Sequence, residues 1–167
     1  MKRLLQITLI TFIIAGLTTV ASAQGQSDND NIQANATVIA QLDVSAGSPL
    51  NFGNVTPGIL SSVPYGSGGS FNISGGGGAS VILDFTLPTN LTSGGNNLPI
   101  SFSTTDANWE DGATSNGNNV FDPNASETIT FPSDGDMSVF IGGTVDPDGA
   151  QAAGTYTGTI VLTATYN

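Results

Sequence analysis

From residue 32 to residue 44 every even position is apolar: Ile32, Ala34, Ala36, Val38, Ala40, Leu42 and Val44. The odd positions between them are polar (Gln33, Asn35, Thr37, Gln41 and Asp43) except for Ile39. A period of two gathers the apolar side chains on one face of a strand, whereas a helix would need them three and four apart. The pattern predicts one long half-buried strand, although three of its residues are Ala, the best helix former. The C-terminal stretch repeats it. Tyr156, Gly158, Ile160, Leu162, Ala164 and Tyr166 share one face, and Thr155, Thr157, Thr159, Thr163 and Thr165 lie on the other with Val161. Shorter strands are predicted near residues 50–53, 70–74, 80–87, 99–104, 128–131 and 138–145.

Turn-forming clusters separate these runs: Thr56-Pro57-Gly58, the four glycines 75–78, Ser93-Gly94-Gly95-Asn96-Asn97, Ser133-Asp134-Gly135 and Asp146-Pro147-Asp148-Gly149. The 22 glycines of the chain therefore read as turns of an all-β domain rather than as disorder. Seven to nine short strands with such punctuation predict a Greek-key β-sandwich. Residues 106–119, with Trp109, Glu110 and Asp111, are expected to form an exposed loop. The expected core includes Val38, Leu42, Phe52, Phe71, Val81, Leu83, Phe85, Ile100, Phe102, Ile129, Phe131, Val139, Ile141, Ile160 and Leu162. Phe52, beside Gly53, and Phe71 have the placing of plugs between sheets.

The N-terminus carries a different pattern. Lys2 and Arg3 precede a mostly apolar run over residues 4–20, and Ala21-Ser22-Ala23 follows it. A basic start, an apolar centre and a small-x-small end are the marks of a secretory signal. The reading is a cleaved signal over residues 1–23, a flexible polar lead-in over 24–31, and a single β-sandwich domain over 32–167. No second apolar span follows, so no membrane crossing is expected after cleavage.

Charge sharpens the picture. The chain has 13 Asp and Glu, 2 Lys and Arg, no His and no Cys, for a net charge of −11. Both cations lie in the signal, so its removal takes the side-chain charge to −13. No histidine base, thiol, Schiff-base lysine, Cys/His zinc site, disulfide or arginine clamp then remains. Nucleic-acid binding is excluded for want of a basic footprint. No cofactor is expected.

Carboxylates are the only charged chemistry left. Asp134 and Asp136, and Asp146 and Asp148, each set two acids two residues apart in a turn, which makes weak candidates for calcium. Asp-Pro-Asp-Gly is also simply a good turn sequence. Glu110 and Glu127 are the only glutamates, too few and too far apart in sequence to suggest a tuned hydrolytic pair. Trp109 with Glu110 and Asp111 is the one candidate edge for stacking a sugar. These residues leave open a secreted carbohydrate- or calcium-binding module as the alternative to a structural protein; an enzyme is not expected.

An ordered set of segments resembles a known family. Leu50-Asn51-Phe52-Gly53-Asn54-Val55-Thr56-Pro57-Gly58 is followed by Phe71-Asn72-Ile73-Ser74-Gly75, by Phe140-Ile141-Gly142-Gly143-Thr144-Val145, and by Gln151-Ala152-Ala153-Gly154-Thr155-Tyr156-Thr157-Gly158-Thr159. In this order they resemble the bacterial domain-of-unknown-function family 4402, over nearly all of residues 34–167. Sequences of that family are similar to spore-coat-U-like proteins and chaperone–usher pilins, which implies an immunoglobulin-like sandwich. Gly154, fourteen positions from the end, and the penultimate Tyr166 match the terminal strand of such pilins. The resemblance implies an exported fimbrial or surface subunit of a Gram-negative bacterium, in the periplasm, at the cell surface or outside the cell. It implies further copies or other surface subunits as partners, joined by β-strand addition, and a periplasmic chaperone. Gly154, Tyr156, Gly158, Tyr166, Phe52, Gly53 and Phe71 become the residues of structure and assembly. The polar lead-in and the missing disulfide depart from the pilin pattern.

Overall fold

The structure is a computed structural model that describes residues 27–112 and 117–167. The expected signal, and the first residues of the lead-in, lie outside the described residues. Chain contacts gather into two units, Met1–Ala36 and Thr37–Asn167. In the first, residues 27–36 form neither helix nor strand and are exposed. The second holds twelve strands among the described residues and no α-helix.

The strands are β1 (Asp43–Ala46), β2 (Ser61–Val63), β3 (Gly69–Ser74), β4 (Ser80–Thr86), β5 (Asn90–Ser93), β6 (Asn96–Ser101), β7 (Ala107–Glu110), β8 (Val120–Phe121), β9 (Glu127–Thr130), β10 (Asp136–Ile141), β11 (Gly143–Val145) and β12 (Val161–Tyr166). They form three sheets, of order β1-β3-β10-β7-β8, β2-β11-β6-β5 and β12-β4-β9. Every pairing is antiparallel. The chain is all-β, and the facing of its sheets is consistent with a β-sandwich.

Period-two alternation produces the main core. In β4, Val81 and Leu83 are buried with Phe85 half-buried, while Asp84 and Thr86 face water. In β10, Met137, Val139 and Ile141 alternate with Ser138 and Phe140. The five-stranded sheet contributes Ile73, Ala107, Phe121, Met137 and Val139 to one cluster, and the three-stranded sheet answers with Val81, Leu83, Ile129 and Leu162. Phe71 meets Phe85 edge-on at 6.1 Å between ring centres, and Phe85 stacks on Phe121 at 6.2 Å, so aromatic contacts join the two sheets. A second cluster forms under the four-stranded sheet from Leu98, Ile100 and Val145, packed by Phe52, Val55, Leu91, Phe102 and Tyr156.

Gly142 is where the chain changes sheets. The predicted strand over residues 138–145 is two strands in different sheets, β10 and β11, parted at this residue. Its N–H donates to the Asp106 carbonyl at 2.7 Å. A Cβ at this position would overlap the Val63 carbonyl oxygen and lie 2.6 Å from the Tyr65 nitrogen. Backbone rather than side chain would have to yield, so only glycine fits.

The structure corrects four expectations. The long strand over residues 32–44 exists only as β1, and Val38, expected in the core, is 93% exposed. Three of the seven even positions of that run are Ala, which offers little apolar area, and the described residues give it no neighbouring edge to pair with. Residues 50–53 are not a strand but one wall of a cavity. The terminal strand is shorter than its pattern, regular only from Val161, with Thr157 making one isolated bridge to Thr92. Finally, residues 107–110 are no exposed loop: β7 is interior to its sheet, with Asn108 and Glu110 buried and Trp109 half-buried against the main core.

Two measurements test this account. Gly142→Ala should lose about 1–3 kcal/mol of stability by overpacking, read as a lower urea midpoint without change of slope. Thirteen carboxylates with no cation among the described residues repel one another, so the melting temperature should rise as NaCl goes from very low to physiological levels. A flat curve would show that the repulsion is negligible.

Candidate functional site

β1 ends the five-stranded sheet and bonds only to β3, and β12 ends the three-stranded sheet and bonds only to β4. The two edge strands approach one another. Edge strands carry a row of N–H and C=O groups without sheet partners. β1 ends in residues 46–55 and β12 is entered from residues 151–160, and these two stretches wall a cavity of about 920 Å³. Its apolar lining includes Phe52, Phe71, Leu91, Leu98, Tyr156 and Ile160.

Six of the seven residues assigned to structure and assembly line this one cavity: Phe52, Gly53, Phe71, Gly154, Tyr156 and Gly158. Gly53 holds a left-handed conformation with φ +64°, and its N–H donates to Asn51 Oδ1 at 2.8 Å, an Asx turn that starts the wall. Gly154 passes close to Ser93, and Gly158 lies over Leu91, whose Cδ2 would be 2.7 Å from an added Cβ. The Tyr156 hydroxyl donates to the Ala152 carbonyl at 2.8 Å and accepts from Gln151 Nε2 at 2.7 Å. These two bonds turn the wall inward and bring the ring against the second core cluster.

Tyr166 stands apart, at the far end of β12. Its hydroxyl accepts the Gly76 N–H at 2.8 Å and donates to the Ala40 carbonyl at 3.1 Å. The penultimate side chain thus ties the β3–β4 turn to the stretch that leads into β1. Beyond that tie the chain runs exposed, with Val38 93% and Ile39 72% accessible.

No carboxylate lines the cavity. Asp134 and Asp136 sit in the exposed β9–β10 turn, where Asp134 Oδ1 accepts the Asp136 N–H at 3.3 Å. Asp146 and Asp148 are exposed after β11, and Asp148 Oδ1 accepts the Ala150 N–H at 2.8 Å. Asp134 and Asp148 thus stabilise their own turns, and no group of three His, Cys, Asp or Glu side chains converges among the described residues. The expected sugar-stacking edge is not formed, because Trp109 packs inward and Glu110 is buried, accepting the Asn118 N–H at 3.3 Å.

Leu91 and Leu98 were not expected in the lining. They oppose each other across the β5–β6 hairpin, whose two-residue turn is Gly94-Gly95, with φ +53° and +90°. Two glycines between short runs are the sign of a type I′ hairpin, and that signal was present in the sequence.

Tyr166→Phe keeps the ring and removes both hydroxyl bonds. It should lower stability by about 1–2 kcal/mol, measured by urea unfolding, and should speed hydrogen exchange at Gly76. No curated protein matches the chain by sequence. No helix among the described residues is long and apolar enough to cross a membrane. One family model matches residues 42–166, beginning one residue before β1 and ending with β12, and by that match the chain belongs to the family described as Domain of unknown function (DUF4402).

Proposed function

We propose that this chain is an exported, non-catalytic structural protein of the bacterial surface, a subunit that joins other copies or other surface subunits by β-strand addition. On this reading the sandwich is immunoglobulin-like and pilin-like, residues 1–23 are a signal removed on export, and the protein works in the periplasm, at the surface or outside the cell. One observation supports it: β1 and β12 are both sheet edges, and the stretches joined to them, residues 46–55 and 151–160, wall an uncharged cavity that the chain leaves open. An open edge over apolar surface is a template for an added strand, with main-chain bonds supplying affinity and alternate side chains supplying specificity. A periplasmic chaperone fits the same logic, as a temporary cover for that edge before assembly.

Strand addition between subunits buries many backbone bonds at once and resists detergent. Unboiled SDS gels of the exported protein should therefore show a ladder that collapses to the monomer on heating. A monomer in both lanes would overturn the reading.

A further inference from the structure

β2 ends the four-stranded sheet and pairs only with β11. Among the described residues, no loop or turn bonds to the backbone of residues 60–63. Just before this edge stand Ile59 and Leu60, 60% and 63% exposed, the most exposed large apolar side chains from β1 onward among the described residues. They lie in a run without charge, since no residue from Val44 to Leu83 is acidic or basic. Beside the edge is a depression of about 390 Å³, whose lining includes Val63, Pro64, Phe102 and Gly143. Ser62 opposes Thr144, and Thr144 opposes Ser101, so the three hydroxyls share one face, and all three line the depression. Alternation carries Leu60 to the face of Ser62. The edge therefore has an apolar knob two residues before Ser62 and a hollow that reaches two residues beyond it.

We infer that β2 is an edge for self-association: two copies pair antiparallel across a two-fold axis at Ser62. Ser62 then opposes Ser62 of the second copy, and Leu60 of each copy opposes Pro64 of the other. The rotation sets each Leu60 over the other copy's depression. A two-fold contact requires a patch that complements itself, and a knob and a hollow placed evenly about one residue form such a patch. Charge favours the same place. Two acidic copies repel least across uncharged surface, and the one carboxylate in the depression, Asp106, has its Oδ2 on the Ser103 N–H at 2.7 Å. The edge is short and the contact small beside stable interfaces, so the pair is weak and forms at high concentration. It is closed, and it is independent of the strand addition proposed for β1 and β12.

The chain has no cysteine, so one introduced thiol reports one contact. Opposed residues of antiparallel strands stand about 4.5–5.5 Å apart between Cα atoms, within reach of a disulfide. Full-length Ser62→Cys, concentrated and mildly oxidised, should give several-fold more covalent dimer than Thr128→Cys, also exposed and on the edge strand β9. Adding Leu60→Asp to Ser62→Cys should cut that yield several-fold. Should Ser62→Cys fail to fold, mixed Leu60→Cys and Pro64→Cys proteins should give a disulfide heterodimer in its place. Equal yields from Ser62→Cys and Thr128→Cys, or a yield unmoved by Leu60→Asp, would overturn the inference. This dimer is lost with reductant, whereas the ladder of strand addition is lost with heat, so the two contacts are read apart.

Discussion

Apolar burial between the five-stranded and the three-stranded sheet is the interaction on which everything else depends. The chain has no cysteine for a disulfide, and its only cations are Lys2 and Arg3. What remains is backbone hydrogen bonding, whose net worth is modest because water competes for the same groups, and the removal of apolar surface from water. Burying a side chain such as Ile73, Leu83 or Ile129 is worth about 1.5–3 kcal/mol each. These residues meet in one cluster contributed by both sheets, so neither sheet could bury its face without the other. The edge of that contact is consequently where the molecule is least finished. β1 runs into one wall of the cavity at Ala46, and Ile160, the last residue of the other wall, leads into β12.

How much of this could be read from the sequence depended on how many faces each strand buries. β4, with Val81, Leu83 and Phe85 inward and Asp84 outward, alternates plainly and was placed almost to the residue. β7 was missed because both of its faces are covered: Ala107 and Trp109 turn to the core while Asn108 and Glu110 are buried on the other side. Buried polar residues read as loop, since composition cannot show that their partners come from elsewhere in the chain. β10 and β11 were read as one strand because the break falls at Gly142, where the reason is close backbone approach, a tertiary fact with no sequence period. The site was partly legible. Phe52, Gly53, Phe71, Gly154, Tyr156 and Gly158 were picked out by family resemblance, and the structure gathers all six around one cavity. Leu91 and Leu98 carried a hairpin signal that was read only as punctuation.

The segment over residues 32–41 is the instructive failure. Its alternation is the most regular in the chain, and alternation means fitness to be a strand. It does not mean that the same chain supplies the neighbour. A strand forms when its backbone groups find an edge and its apolar face finds a surface. Ala34, Ala36 and Ala40 provide little area, so burying this face would contribute little. The family match begins at residue 42, and the regular structure of the chain begins at nearly the same place. A segment that alternates in pattern, yet is exposed and lies outside the matched residues, shows that alternation alone does not make a strand.

The acidity of the chain bears on how two copies could approach. Thirteen carboxylates with no described cation make the approach of two copies unfavourable over most orientations. Screening at about 0.15 M salt confines the effect to roughly 8 Å, the distance at which surfaces begin to touch. Repulsion at that range disfavours misdirected contacts and leaves neutral surface unaffected. The two neutral features found here, the stretch over residues 31–42 and the cavity lining, are each bordered by acids: Asp30 and Asp43 on one, Asp146 and Asp148 on the other. Charge therefore works in two directions in this molecule. It is a burden on the fold, borne by the apolar core, and it disfavours close approach of two copies except across neutral surface.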